Sequence, residues 1–137
     1  MRWNDRGAAA AVELAVAAGL ILLPAMALVA SLPTWIERRE AVDLAAQEAA
    51  RAYVLSADEE AALAAARSAA ETVAVNHGVN AADLEMVVEG RLQRGSEITV
   101  SITATVPTLQ IPGLGTFAAR DVTVVHSERV DDYRSFP

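Results

Sequence analysis

Leu14-Ala-Val-Ala-Ala-Gly-Leu-Ile-Leu-Leu-Pro-Ala-Met-Ala-Leu-Val-Ala-Ser-Leu-Pro-Thr-Trp-Ile36 carries no charged residue. A bilayer core of about 30 Å is crossed by about 20 apolar residues in helical form, and this stretch is long enough. A lone carboxylate, Glu13, stands at its N-terminal edge, behind the short polar tail of residues 1–7 with Arg2 and Arg6. An ionisable group beside such a segment is costly to bury, so it asks for a partner cation at the same depth or for access to water at the headgroups. Pro24 and Pro33 lie inside the segment and each removes a backbone donor; both are more tolerable in a membrane helix than in a soluble one. Ala8 to Ala11, Ala15, Ala17, Ala18 and Gly19 make its first half small enough for another helix to approach closely.

The helical pattern continues past the apolar run. No Gly or Pro interrupts residues 37–55, and Val42, Ala45, Ala46, Ala49 and Tyr53 recur at helical spacing. A helix from Ala8 to Leu55 would be about 70 Å long, far more than one bilayer, so its outer half needs something to cover its apolar stripe. Ser56-Ala-Asp-Glu59 reads as a capping box with Ser56 as N-cap. It opens a second, Ala-rich helix to about Val75, stopped by Asn76-His-Gly78 with Gly78 able to turn left-handed.

After Gly78 the period changes to two. Leu84, Met86 and Val88 alternate with Glu85, Val87 and Glu89. From Glu97 to Val106 the residues Ile98, Val100, Ile102, Ala104 and Val106 share one face, and Thr99, Ser101, Thr103 and Thr105 the other. Arg94-Gly-Ser96 marks the turn between these strands, and Pro107 to Gly115 reads as a loop. A third strand from about Thr116 to Arg129 places Val122, Val124 and His126 on one face. One apolar face per strand implies a sheet covered on a single side, with the Ala-rich helices as the cover. The expected fold is α+β: a long N-terminal transmembrane helix extending into a small head with a second helix and a three-stranded antiparallel sheet. The expected divisions are a leader-like tail (1–7), a transmembrane segment (8–36), an exported domain (37–130) and a tail (131–137).

Composition narrows the function. The chain has 137 residues and a formal net charge of −7, with 11 basic residues, all Arg and scattered. Nucleic acid as a partner requires a basic patch that is not there. Cysteine is absent, so neither disulfides nor thiolate metal sites are available. Aromatics make up only 4%, so the apolar mass is Ala, Val and Leu, which buries little area per residue and implies limited stability outside an assembly. His77 and His126 are the only histidines, and neither has metal-ligand spacing. No nucleophile elbow, phosphate loop or dinucleotide motif occurs, and Gly113-Leu-Gly115 reads as a turn. Asp58-Glu-Glu60 suits the start of a helix, and Asp131 and Asp132 a solvated tail. Catalysis, a cofactor, a metal and a small-molecule substrate are therefore not expected.

Arg6-Gly-Ala-Ala-Ala-Ala-Val-Glu-Leu14 followed by a long apolar helix resembles the N-terminus of TadE-like proteins, the minor pilins or pseudopilins of tight-adherence (Flp-type) pilus systems. Ala45-Ala-Gln-Glu-Ala-Ala-Arg51 looks like a helix of that family, and the strand Ile98 to Val106 with Ile111-Pro-Gly-Leu-Gly115 looks like its C-terminal strands and loop. The resemblance implies a structural subunit of a pilus or secretion-related assembly. Its partners would be membrane lipid, other pilin-like subunits, the pilus or secretion machinery and a prepilin peptidase. The cleavage candidates are Gly7, Ala8 and Ala9, and Glu13 would be the assembly carboxylate, neutralising the new N-terminal amine of a neighbour. The chain departs from the family pattern: a cut after Gly7 puts Glu13 sixth, whereas a cut after Ala8 puts it fifth with Ala where Gly is usual. Arg2 and Arg6 before the span nearly balance Arg38 and Arg39 after it, so charge counting does not orient the helix. The resemblance implies a cytoplasmic N-terminus and an extracytoplasmic head. Two other readings compete. One is a secreted or periplasmic binding module cut at Ala25-Met-Ala27; the other is an uncut membrane-anchored adaptor.

Overall fold

The computed structural model describes residues 5–111 and 115–133. Helix α1 spans Asp5–Leu55 and helix α2 Glu59–Asn76; three antiparallel strands follow, β1 Leu84–Glu89, β2 Glu97–Ile111 and β3 Gly115–Arg129, in the sheet order β1-β2-β3. This is the α+β arrangement that the change of period from 3.6 to 2 predicts. At 51 residues α1 is about 76 Å long, and Pro24 and Pro33 lie within it without ending it.

The upper half of α1 is the spine of the head. Ala41, Val42, Ala45, Ala46, Ala49, Ala50, Tyr53 and Val54 form a broad buried stripe, wide enough to meet two neighbours. One neighbour is α2, which returns antiparallel after the short link 56–58 and buries Ala62, Ala66, Ala70 and Ala74, one per turn. Alanine on both sides of the seam lets the two backbones come close. The other neighbour is the sheet, whose Ile98, Val100, Ile102, Ala104 and Val106 are fully buried. Register sets Met86 beside Ile102 and Ile102 beside Val124, so one apolar face runs across all three strands. The opposite face is mainly polar, with Val87 and Val125 exposed on either side of Ser101. It is laced by Thr99 to Ser127 at 3.0 Å, Thr103 to Thr123 at 2.9 Å, and Thr105 Oγ1 donating to Asp121 Oδ1 at 2.7 Å.

The end of α2 forms as Gly78 predicts. Gly78 takes φ +74°, Val79 N–H donates to Ala74 O at 2.8 Å and Gly78 N–H to Val75 O at 3.1 Å. That is a Schellman closure, and Val79 packs into the core beneath it. The start of α2 differs from the reading of Ser56 as N-cap. Asp58 is the cap, accepting from Ala61 N–H at 2.8 Å, while Ser56 Oγ donates back to Ala52 O at 2.8 Å. Ser56 still belongs to the turn that ends α1, so its hydroxyl serves that helix.

The loop expected at 107–115 is mostly strand. β2 continues to Ile111 and β3 begins at Gly115. Pairing shifts between Pro107 and Leu109 and shifts back between Leu109 and Gln110, so Gln110 again faces Thr116 and Ile111 faces Gly115. The two shifts place one extra residue in each strand, Thr108 and then Phe117, and cancel. Pro107 has no N–H for a ladder, and an irregularity beside it is how an otherwise regular strand accommodates it.

Candidate functional site: the apolar half of α1 and Glu13

Below Met26 the helix has no inside. Val12, Leu14, Val16, Leu20, Ile21, Leu22, Leu23 and Met26 are 58% to 76% exposed. Leu20 to Leu23 are four successive residues, and at about 100° each they cover the whole circumference. A helix in a folded soluble domain keeps one apolar stripe for its core. Here every face is apolar, and none of the described residues covers it. It is the one helix among the described residues that is long and apolar enough to cross a membrane. Ala9 to Met26 makes about 27 Å of helix, close to one hydrocarbon thickness.

Glu13 is exposed on this helix, and among the described residues no cation lies within ion-pair distance of it. Ala9 and Ala17 stand one turn below and one turn above it, so its carboxylate is flanked on its own face by methyl groups. A neighbouring helix could therefore approach Glu13 closely. Gly7, Ala8 and Ala9 occupy the first turns of α1, with Gly7 and Ala9 exposed.

Above Met26 the helix changes character. Ala27, Thr34, Trp35 and Arg38 are half-buried and Ser31 is 8% exposed, all on the face that continues into Ala41 and Val42. Ser31 Oγ donates to Ala27 O at 2.8 Å. Trp35 packs against the core and shares a cavity wall with Val124. Arg38 lines a second cavity with Val79 at the end of α2 and with Pro107, Thr116 and Ala119 of the sheet. These residues are not prominent in the sequence because they sit within or beside a run that is apolar on all sides. The signal that could have found them is the spacing Ala27, Ser31, Trp35, Arg38, a helical stripe that ends in a polar group.

The remaining candidates have structural roles. His77 caps α2, its N–H donating to Ala74 O at 3.1 Å. His126 lies on β3 with Nε2 3.6 Å from Glu128 Oε2 in a half-exposed setting. Asp132 accepts from Arg129 at 3.1 and 3.3 Å on the surface. Asp58 caps α2, beside Glu59 and Glu60 in its first turn. Gly113 and Leu114 lie outside the described residues. Among the described residues no three His, Cys, Asp or Glu side chains form a group able to hold a metal.

Comparisons with protein-family models, with curated proteins and with solved structures find no match to this chain.

Proposed function

We propose that the protein is a structural, pilin-like subunit, anchored by the lower half of α1 and presenting its α+β head outside the membrane, in a tight-adherence pilus or a related secretion assembly. The observation that carries this reading is the Glu13 helix, uncovered on every face with one carboxylate at its edge. A hydrocarbon environment satisfies the apolar surface but offers nothing to the carboxylate, whereas a neighbouring subunit's helix with a cationic group at that depth satisfies both. The small residues Ala9 and Ala17 around Glu13 suit close lateral packing. The resemblance of Arg6 to Leu14 to TadE-like N-termini supplies the nature of that cation, a processed N-terminal amine. It also supplies the orientation, with the N-terminus cytoplasmic.

The test is Glu13→Ala in the native membrane, with the N-terminus of the recovered protein mapped by intact mass. The variant is expected to stay in the membrane fraction while co-purification of partner subunits falls about tenfold or more, since breaking a buried charge pair costs several kcal/mol. A start at Ala8 or Ala9 is expected. Undiminished partner recovery in the variant would overturn the assembly role of Glu13, and a start near Leu28 would overturn the anchored reading.

A further inference from the structure

We infer that the distal ends of β2 and β3, residues 107–111 and 115–119, are seated in the outer headgroup layer of the membrane, so that lipid holds the head through the sheet as well as through α1. The inference rests on the proposed membrane anchoring of α1 and adds a second lipid-contacting element to it.

The levels can be read along α1. Helix α2 runs back down beside α1 and ends at Asn76, and the residues just beyond it, Gly78 and Val79, share a cavity with Arg38. Pro107 and Ala119, which pair across the hairpin, line the same cavity. At the level of Arg38, therefore, α2 has finished but the hairpin has not. β2 continues four residues past Pro107 to Ile111, where it pairs with Gly115. Four strand residues advance about 13 Å. The same distance down α1 is about nine residues, which reaches Val29. Burial along α1 agrees with this. Ser31 is 8% exposed and Ala27 half-buried, in a stretch that α2 does not reach.

The other side of that stretch is bare. Leu28, Val29, Leu32 and Ile36 are 49% to 64% exposed, and they continue the uncovered surface of Ala9 to Met26 without a break until Glu37. One face of residues 27–36 is thus taken by the sheet, and the other is as apolar as the segment below it. Length places this stretch. Ala9 to Met26 fills the hydrocarbon core, and Ala9 to Ile36 makes about 42 Å of helix, the thickness of a bilayer with its headgroup regions. Residues 27–36 then stand in the outer interfacial layer, and the hairpin beside them stands at the same depth. Trp35, half-buried with Arg39 over its ring, sits where interfacial aromatics are found. The charges in these segments are mixed, Arg38, Arg39 and Arg120 beside Glu37, Glu40 and Asp121 in the sequence. The occupant is accordingly the interfacial zone of ordinary phospholipid, held by insertion and not by charge.

The absence of cysteine makes the test direct. Leu20→Cys, Thr116→Cys and Ser127→Cys, each exposed, are made one at a time in the full chain. Each is labelled with an environment-sensitive fluorophore and reconstituted into phosphatidylcholine vesicles carrying nitroxide lipids. Loss of fluorescence is expected at Leu20 with a deep acyl-chain nitroxide and at Thr116 with a headgroup nitroxide, with no loss at Ser127 at the upper end of β3. Quenching at Leu20 without quenching at Thr116 overturns the seating and leaves the anchor intact. No quenching at Leu20 overturns the anchor and the seating together. A Leu32→Cys variant that forms a disulfide dimer when left unlabelled, and in a separate labelled sample is shielded from both nitroxides, shows a second copy on this face and overturns lipid as its occupant.

Discussion

Arg39 stands one helical turn above Trp35, with its guanidinium carbon 5.9 Å from the centre of the indole ring. The pair stands where α1, already covered on one face from Ala27, becomes the spine of a folded head. Up to Met26 no described residue covers the helix, from Ala27 to Trp35 one face is covered, and above the pair two layers pack against it. Trp35 contributes mainly by packing against the core, and its Nε1 is buried with no acceptor among the described residues. Trp35→Ala is therefore expected to cost about 2 kcal/mol, the half-buried share of a Trp truncation. Arg39→Ala is expected to cost about 0.5–1 kcal/mol, the value of a partly exposed cation–π contact. Trp35→Phe should cost less than Trp35→Ala, because it keeps a ring and removes a donor that has no partner. Denaturation of the detergent-solubilised chain, followed by circular dichroism, checks all three. An Arg39→Ala loss equal to that of Trp35→Ala would shift the weight from packing to the cation.

The start of α2 gives a second expectation. Asp58 accepts the Ala61 N–H, and without it one of the first amides of α2 loses its acceptor. Asp58→Ala should destabilise the head by about 1 kcal/mol. Ser56→Ala should cost less, since the Ser56 hydroxyl donates to a carbonyl of the preceding helix. Parallel melts of the two variants decide which residue carries the cap, and a larger loss at Ser56 would restore the capping box.

The contrast between these two residues shows what a sequence can and cannot carry. Ser56 and Glu59 have the composition and spacing of a capping box, but the choice of cap depends on where α1 lets go, which is set by packing of Tyr53 and Val54 into the core. Periodicity survives such context: the stripe from Val42 to Tyr53 and the alternation from Ile98 to Val106 are legible because burial imposes them residue by residue. The extension of β2 through Pro107 is not legible. Pro and Gly density there signals a loop, and only pairing with β3 reveals two cancelling irregularities. The covered face from Ala27 to Arg38 is hidden for a different reason, since an apolar run looks the same whether lipid or a hairpin lies against it. Glu13 stands out in the sequence and its place on the bare helix is clear, but among the described residues no cation pairs with it.

The alanine seam between the helices leads to a third expectation. Ala66 is fully buried where α2 meets α1, and Ala64 on the same helix is exposed. Ala66→Leu adds three carbons where the facing residues are themselves alanines, and overpacking of this kind costs about 1–3 kcal/mol. Ala64→Leu should be nearly neutral. In a head of this size a loss of that order lowers Tm by roughly 4–8 °C per kcal/mol. An unchanged Tm in Ala66→Leu would mean that the helices can separate at no cost, and that the seam is looser than its burial indicates.

Tyr53 makes stability depend on alkaline pH. The side chain is buried at the top of α1, and burial, followed by the nearby Glu59 carboxylate, raises its pKa above the usual 10.0. Both causes disfavour the phenolate in the folded state. Below about pH 10 the phenol is protonated in folded and unfolded chains alike, and pH has no effect through this group. Above that value the unfolded chain gives up the proton while the folded chain retains it, so stability falls as pH rises until the folded pKa is reached. Urea unfolding of wild type and Tyr53→Phe across that range should show a decline in the wild type that the variant lacks. Glu59→Gln should weaken the decline only in part, because desolvation is the larger cause and remains. A Tyr53→Phe variant that declines as steeply as the wild type would place the alkaline sensitivity in other groups and leave Tyr53 a packing residue alone.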